Sequence, residues 1–204
     1  MILSHKADVG MPWLDPLTRS FVVHGDDTVV VVKDGQIVRT VAVENLIGSI
    51  AEPGWVVAAS ETELVVVNLS DPAHEVRIEI ESEPGFRTID VSSEVICTVH
   101  EEHLAIYSLQ SGELILRFEH PEHDYGMPAL GNGLVVYTAS ETELRVHDYL
   151  RDECVFAHDF APRTLYDFVV DFAGETAFVT IAERERVRAC IARFDTGEVC
   201  EPTT

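Results

Sequence analysis

One six-residue string occurs twice in this chain, and its spacing constrains the fold more than any other feature. Ala-Ser-Glu-Thr-Glu-Leu stands at Ala59–Leu64 and again at Ala139–Leu144, offset by 80 residues. A related stretch, Val99–Leu104, lies midway between the two copies, so the repeat length is 40 residues. A repeat of this length indicates one supersecondary unit that is copied along the chain.

Each repeat is predicted to hold four antiparallel strands, named a, b, c and d in chain order. A polar turn separates two apolar segments, as in Leu134–Ala139 and Leu144–Tyr149, and a third segment such as Glu113–Phe118 follows the next turn. A further strand precedes each unit, and Phe86–Val91 is the clearest case. Val, Ile, Phe and Tyr dominate these segments without a 3.6-residue apolar period, so helix is disfavoured.

Weaker copies at Phe21–Val43 and Ala177–Cys200 bring the number of units to five. Five such units predict an all-β fold, a small β-propeller of about five four-stranded antiparallel blades. The expected domain is a single propeller over residues 1–204, with approximate blades at 1–43, 44–81, 84–119, 125–159 and 163–202. Met1–Thr18 would supply the first innermost strand, although its prolines make it a poor strand. Five blades could close alone or form an open arc that pairs with another copy.

Two segments have the same order and spacing of apolar and turn residues as strand c of a WD repeat and the turn that follows it. Leu144–Glu153 has His147 where that family has Trp, and Leu104–Glu113 follows the same frame. Over nearly its whole length the chain resembles the WD-repeat and quinoprotein-like β-propellers. The resemblance implies a rigid scaffold whose loops form one broad face for protein partners.

The charge of the chain is extreme, with 36 Asp and Glu against 14 Lys and Arg and a formal net charge of −22. The acids are spread along the chain, and this composition resembles that of proteins from halophilic archaea. Concentrated salt would screen their mutual repulsion. A functional acidic patch that captures a basic partner is the alternative. Direct binding to nucleic acid is not expected, because phosphates are bound by Lys and Arg, and no apolar run is long enough for membrane insertion.

The N-terminal stretch Met1–Gly10 lacks the apolar segment of a signal peptide, so the cytoplasm is the expected compartment, with a virion as the alternative. Cys97, Cys154, Cys190 and Cys200 lack metal-type spacing, and three of them are expected to be small core residues. The geometry of the turn between Cys190 and Cys200 would allow a disulfide, but free thiols are expected in the cytoplasm.

The turns between strands b and c form the candidate binding face. All five predicted b–c turns carry two acids, and a propeller brings these turns to one side. The acids would bind a cation or a basic partner, or they are repeated salt adaptations of exposed turns. The candidate residues are His24, Asp26, Asp27, Ser60, Glu61, Glu63, His100, Glu101, Glu102, Ser140, Glu141, Glu143, Glu183 and Glu185.

Four histidines are weak candidates for a metal site: His100, His103, His120 and His123. Zinc needs ligands that converge tetrahedrally, and a His-x-x-His pair on a strand turn does not fix its ring directions. We therefore predict no metal and no cofactor. The sequence contains no nucleophile elbow, P-loop or dinucleotide fingerprint, so we predict no catalytic residue. Trp55 begins a strand b and is expected to lie in the core.

The leading functional prediction is a non-catalytic propeller scaffold that binds another protein in a high-salt environment. Two alternatives stay open. One is a glycan-binding or receptor-binding module of a virion or cell surface, and the other is a small hydrolase or lyase with a site at the channel mouth. Association into a homo-oligomer is also left open.

Overall fold

The computed structural model describes residues 12–80, 88–100, 103–119, 128–183 and 186–201. Within these ranges the backbone forms strands and turns and no helix, as the apolar pattern predicts. The described strands are β1 (Trp13–Leu14), β2 (Phe21–His24), β3 (Thr28–Lys33), β4 (Gln36–Ala42), β5 (Gly48–Glu52), β6 (Trp55–Ala59), β7 (Glu63–Asn68), β8 (Glu75–Glu79), β9 (Thr88–Val91), β10 (Val95–Val99), β11 (His103–Ser108), β12 (Leu114–Glu119), β13 (Ala129–Gly131), β14 (Leu134–Thr138), β15 (Glu143–Asp148), β16 (Glu153–Asp159), β17 (Thr164–Asp171), β18 (Thr176–Glu183), β19 (Arg186–Arg193) and β20 (Val199–Cys200).

These strands pair with their chain neighbours into four-stranded antiparallel sheets. The first sheet is β1 to β4, the second β5 to β8, the third β9 to β12, the fourth β13 to β16 and the fifth β17 to β20. Five sheets of this kind are the blades of a small all-β propeller, and they confirm the fold class predicted from the repeat.

The chain divides into two compact units. The first unit is Met1–Ile96 with Tyr107–Leu114, and the second is Cys97–Ile106 with Ile115–Thr204. The first and second sheets belong to the first unit, the fourth and fifth belong to the second unit, and the third sheet contributes segments to both.

In the first unit, the second sheet is covered on both faces. Val56 packs in a cluster with Val22 of the first sheet, and Val57 packs in another cluster with Ile96 of the third. Successive side chains of a strand point to opposite faces, so an unbroken apolar strand such as β6 is the sequence signature of a sheet buried on both sides.

In the second unit, the fourth and fifth sheets share one apolar cluster. Val146 and Phe156 of the fourth sheet pack there with Val179 and Ile181 of the fifth. Along β18, buried and less buried residues alternate, and Phe178 lies on the exposed side. The fifth sheet therefore has one core face and one open face.

One backbone hydrogen bond recurs in four of the sheets and joins each c–d turn to its a–b turn. The residue after strand c donates its N–H to a carbonyl oxygen of the turn between strands a and b. The donor and acceptor residues are Leu69 and Gly54 (2.8 Å), Leu109 and Glu94 (2.9 Å), Tyr149 and Gly133 (3.1 Å), and Phe194 and Glu175 (2.8 Å). The four donor residues are also buried. The same position of the repeat therefore supplies both a buried apolar side chain and the hydrogen bond that joins the two turns.

The N-terminal segment supplies strand a of the first sheet, as the repeat requires. Strand β1 is only Trp13–Leu14, and Trp13 pairs with Val22. Pro12 and Pro16 flank this strand, and proline has no N–H to donate to a ladder, so the pairing is limited to two residues.

The prediction of three buried cysteines is wrong for one of them. Cys97 and Cys190 are buried, whereas Cys154 and Cys200 are exposed, because strands β16 and β20 lie at sheet edges. Cys200 pairs with Ile191, which puts the Cys190 side chain on the other face of the sheet. All four thiols are free.

Candidate functional site

The repeated string forms a b–c turn that is closed by its serine. The Ser60 hydroxyl accepts hydrogen bonds from the backbone N–H groups of Thr62 (3.3 Å) and Glu63 (3.1 Å). Ser140 makes the same two bonds in the fourth sheet, at 3.1 and 2.9 Å. The two serines of the candidate face are therefore turn-forming residues, since their oxygens are used within the turn.

The acid that follows each of these turns is paired within its own sheet. Both carboxylate oxygens of Glu63 lie 3.0 Å from Nη1 of Arg77. Arg77 also contacts Glu75 at 2.8 Å, and in the fourth sheet Glu143 contacts Arg145 at 2.8 Å. Glu63 thus pairs across strands β7 and β8, whereas Glu143 pairs within strand β15.

The Glu75 carboxylate lies between two guanidinium groups, those of Arg39 and Arg77. Partial burial opposes ionisation of Glu75, but hydrogen bonds from these arginines outweigh it and lower the pKa of the carboxyl. The resulting network links the outer strands of the first and second sheets.

A different set of turn acids is exposed. Asp26, Glu61 and Glu141 stand at the same place in the repeat, three residues before the first apolar residue of strand c. Glu183 is also exposed, and its carboxylate lies 3.9 Å from Arg163 and 3.7 Å from Arg188. Together with Asp27, these side chains are the acids of the candidate face that are exposed to solvent.

The first unit brings two of these turns to one end. Asp27 accepts a hydrogen bond from the Asn45 N–H at 3.1 Å, and the Ile47 N–H donates to the Ala59 carbonyl at 2.9 Å. The connection from the first to the second sheet is thereby bound to both b–c turns. Asp27 is consequently a structural acceptor in this unit.

The second unit repeats this arrangement with different residues. The Leu165 N–H, at the start of the fifth sheet, donates to the Glu141 carbonyl at 2.7 Å. Asp159 accepts from the Thr142 hydroxyl at 2.7 Å and from the Ala161 N–H at 2.9 Å. In each unit, hydrogen bonds therefore join a b–c turn to the segment that leads from one sheet to the next.

His24 is a hydrogen-bonding residue rather than a cation. Its Nδ1 lies 2.9 Å from the hydroxyl of Ser49 in the second sheet. Burial lowers the pKa of His24 below its usual 6.5, because the charged ring would lose hydration. The ring is therefore mainly neutral at pH 7.

The paired histidines of the third sheet pack on each other. His100 and His103 are both buried, and their rings stack with centroids 4.2 Å apart and planes 10° apart. Among the described residues, no three His, Cys, Asp or Glu side chains are grouped as metal ligands would be. Glu101, Glu102, His120, His123 and Glu185, also named from the sequence, lie outside the described residues.

His147 occupies a packed position, consistent with its place in the WD-type frame. Its ring meets Phe118 edge to face with centroids 4.4 Å apart. Its Nε2 lies 3.1 Å from Oδ1 of Asp152. An aromatic body with a polar tip fits this site, because one side of the ring is apolar and the other is hydrogen-bonded.

A groove in the first unit is the feature that sequence reasoning missed. It has a volume of about 470 Å³ and lies between turns of the second and third sheets, at the opposite end from the b–c turns. Trp55, expected only in the core, packs against the core and also lines this groove. The other lining residues are Asn68, Asp71, His74, Ser93, Glu94, Ser108, Leu109 and Gln110. They come from separate turns, and a repeat pattern does not reveal the space between turns.

Comparison with known proteins gives a likeness of structure alone. Neither a protein-family model nor a curated protein sequence matches the chain. Hsv2 of Kluyveromyces lactis matches with a TM-score of 0.64 at 10% identity, over 92% of this chain and 61% of that one. The C-terminal WD40 domain of Sif2 matches with a TM-score of 0.63 at 8% identity, over 92% of this chain and 55% of that one.

A computationally designed protein, Ika8, has a TM-score of 0.69 at 11% identity, over 96% of this chain and 61% of that one. This chain spans about three fifths of the length of these structures. The matches show the WD40 type of β-propeller fold that the sequence resembles. Within the described ranges, no helix has the length and apolar character needed to cross a bilayer.

Proposed function

We propose that this protein is a non-catalytic β-propeller scaffold that binds another protein, and that it works at high salt. The groove of the first unit is the observation that carries the proposal. It joins an aromatic side chain, Trp55, to polar groups on separate turns. Its volume of about 470 Å³ suits a short segment of a partner chain. Trp is also among the side chains that contribute most to binding energy at protein interfaces.

The exposed turn acids are proposed as further contact residues, Asp26 and Glu61 in the first unit and Glu141 and Glu183 in the second. Carboxylates that do not accept hydrogen bonds from the turn backbone are the ones that a basic partner would reach. Their contribution would lie mainly in the association rate and in specificity, because exposed ion pairs contribute only about 0–1 kcal/mol each.

The experiment is affinity capture of the tagged protein from its native cytoplasm at high salt, with quantification of the copurifying proteins. Two variants separate the surfaces. His74→Ala with Gln110→Ala removes polar side chains from the groove, and Glu61→Gln with Glu141→Gln neutralises the exposed turns. His74 and Gln110 are exposed, so these changes should leave the folded state intact.

We expect a partner in stoichiometric amount that the groove variant loses and the turn variant keeps. Loss with the turn variant alone would move the site to the acidic face. Recovery of the same partner in the same amount with both variants would contradict both surfaces. Recovery of no stoichiometric partner would contradict the scaffold function itself.

A further inference from the structure

The first sheet has an apolar face that the described chain leaves uncovered. Leu14, Phe21, Val32 and Ile37 pair in one row across its four strands and so point to the same side. Phe21 is 46% exposed and Ile37 is 68% exposed. The opposite side, with Val22 and the residues that pair with it, packs against the second sheet.

The fifth sheet has a matching face. Val169, Phe178, Ile191 and Cys200 form one row across its four strands. Val169 is 57% exposed and Phe178 is 52% exposed. The next row on the other side, which includes Ala177, belongs to the core shared with the fourth sheet.

In a chain whose net charge is −22, the two central rows of the first-sheet face carry no charge and the fifth-sheet face has a net charge of only about −1. On the first sheet, the neighbouring row is Val23, Val30 and Thr40, so neither row carries a charged residue. On the fifth sheet the two neighbouring rows are Asp167, Thr180 and Ala189 on one side and Asp171, Thr176 and Arg193 on the other, so together they carry two acids and one arginine. Two copies of so acidic a chain repel each other least where faces of so little net charge meet.

Inside each unit, adjacent sheets already pack in the way that these faces would. The first sheet packs on the second, and the fourth packs on the fifth, through rows of Val, Ala and Phe. Repeat proteins require terminal repeats with a polar outer face to stay soluble alone. The outer faces of the first and fifth sheets have an exposed apolar row at their centre. Neither sheet is therefore a polar cap of the kind that ends a repeat protein.

We propose that a second copy of this chain covers these faces, with the first sheet of one copy packing on the fifth sheet of its partner. This contact would repeat the sheet-on-sheet packing that is seen inside each unit. It is a heterologous contact, because different surfaces meet. The proposal does not depend on the partner-binding function above, which uses other residues.

A single contact of this size is smaller than most stable interfaces, so the proposed association uses both contacts. Four strands about 4.8 Å apart and five residues long give roughly 320 Å² per face, so one contact removes roughly 650 Å² from water. Two contacts between the same two copies would remove roughly 1,300 Å², which reaches the range of about 1,200–2,000 Å² of stable interfaces. A head-to-tail pair is therefore favoured over a single contact.

The test is sedimentation of the purified full chain at 1–2 M KCl, where charge repulsion is screened. Wild-type protein should sediment as two or more chains. Ile37→Glu on the first sheet and Phe178→Glu on the fifth should each weaken association by at least about tenfold, which corresponds to about 1.4 kcal/mol. Leu150→Glu is the matched control, because Leu150 is an exposed apolar residue in a turn of the fourth sheet.

Mixing the variants tests the head-to-tail arrangement. The Ile37→Glu chain keeps its fifth-sheet face and the Phe178→Glu chain keeps its first-sheet face, so a mixed pair restores one of the two contacts. An equal mixture should therefore associate more tightly than either variant alone and more weakly than wild type. The thiol of Cys200 should be shielded from alkylation in wild type and reactive in Phe178→Glu. Cys154, exposed on another sheet, should react in both.

A monomeric wild-type chain would overturn the proposal, whether its two faces cover each other or another protein covers them. An equal mixture that associates no more tightly than either variant alone would overturn the head-to-tail contact. An unchanged association constant in both face variants would place the interface elsewhere and would also overturn it. Loss of secondary structure is checked by circular dichroism, and all three substituted side chains are exposed.

Discussion

At the scale of single residues, Asp15 connects the short N-terminal strand to the rest of the first unit. Its side chain is fully buried and accepts hydrogen bonds from the N–H groups of Thr18 (2.7 Å) and Gly54 (3.0 Å), and from the Thr18 hydroxyl. Gly54 lies in the second sheet, so one carboxylate joins the a–b turns of two sheets. A two-residue strand has little pairing of its own, and this connection compensates for it.

We predict that Asp15→Ala destabilises the protein by about 2–4 kcal/mol, because it leaves buried N–H groups of Thr18 and Gly54 without an acceptor. Urea unfolding followed by fluorescence measures the change. Asp26→Asn, at an exposed acid of the next turn, is the control and should change the free energy of unfolding by less than about 0.5 kcal/mol. An equal effect of the two substitutions would show that Asp15 does not hold the first strand.

The same carboxylate gives a prediction for pH. Burial of Asp15 opposes ionisation, but hydrogen bonds from Thr18, Gly54 and Leu17 outweigh it and lower the pKa below the usual 3.8. A carboxyl whose pKa is lowered on folding stabilises the folded state above pH 3.8 and loses that contribution as the pH falls further. The difference in unfolding free energy between wild type and Asp15→Asn should therefore be constant from pH 5 to 7 and shrink below pH 4. A difference that grows on acidification would contradict the assignment.

Residue-scale features of this kind were the least predictable from the sequence. Asp15 lies 39 residues from Gly54, and nothing in its neighbourhood distinguishes it from the many other acids of the chain. For the same reason, the sequence did not separate Glu63, which is paired with Arg77, from Glu61, which is exposed. Both belong to the same turn, and only the strand register shows which of them faces an arginine.

At the scale of elements, the b–c turn was predictable because its chemistry is local. The serine of the repeated string bonds backbone groups two and three residues ahead, so a turn could be expected without knowledge of the fold. The strands were predictable for the same reason, because their apolar residues and their repeat fix both period and position. The length of β1 depends on Pro12 and Pro16, and the sequence already indicated this weakness.

We predict that Ser60→Ala and Ser140→Ala each cost about 1 kcal/mol, since each removes a side-chain acceptor from two turn N–H groups. Because the two turns lie in different units and share no partner, the double variant should lose the sum of the two within about 0.5 kcal/mol. Ser70→Ala is the control, an exposed serine in the β7–β8 connection. Thermal unfolding of the four variants measures these changes in stability, and a neutral Ser60→Ala would contradict the role of the serine in closing the turn.

Gly131 tests how closely neighbouring sheets approach in the second unit. A Cβ at this position would lie 2.5 Å from Cδ2 of Phe172, which is packed against the core. We predict that Gly131→Ala costs about 1–3 kcal/mol, because the ring must shift in a packed site. Gly48→Ala is the matched control, since nothing lies within 4 Å of its Cβ position. Equal unfolding midpoints for the two variants would contradict the close approach.

At the scale of the whole molecule, composition and topology make separate contributions. The WD40-type fold follows from apolar strands and turns, and proteins at about 10% identity share it. The abundance of acids is not needed for that fold, since most of the acids named here lie on turns and edges. The sequence therefore predicted the architecture through its repeat, while the groove around Trp55 and the open faces of the terminal sheets required coordinates.

The proposal that this chain works at high salt makes its strongest prediction for the stability of the whole molecule. With a net charge of −22, self-repulsion raises the free energy of the compact state, and 1 M salt shortens the screening distance to about 3 Å from about 10 Å at 0.1 M. We therefore expect the urea midpoint to rise steadily from 0.1 to 2 M KCl. Neutralising exposed acids, as in Asp26→Asn with Glu61→Gln and Glu141→Gln, should raise the midpoint at 0.1 M and flatten its dependence on salt, because less repulsion is left to screen. If the dependence were equally steep in that variant, apolar burial strengthened by salt would be its cause, and the acids would have to be explained by a basic partner instead.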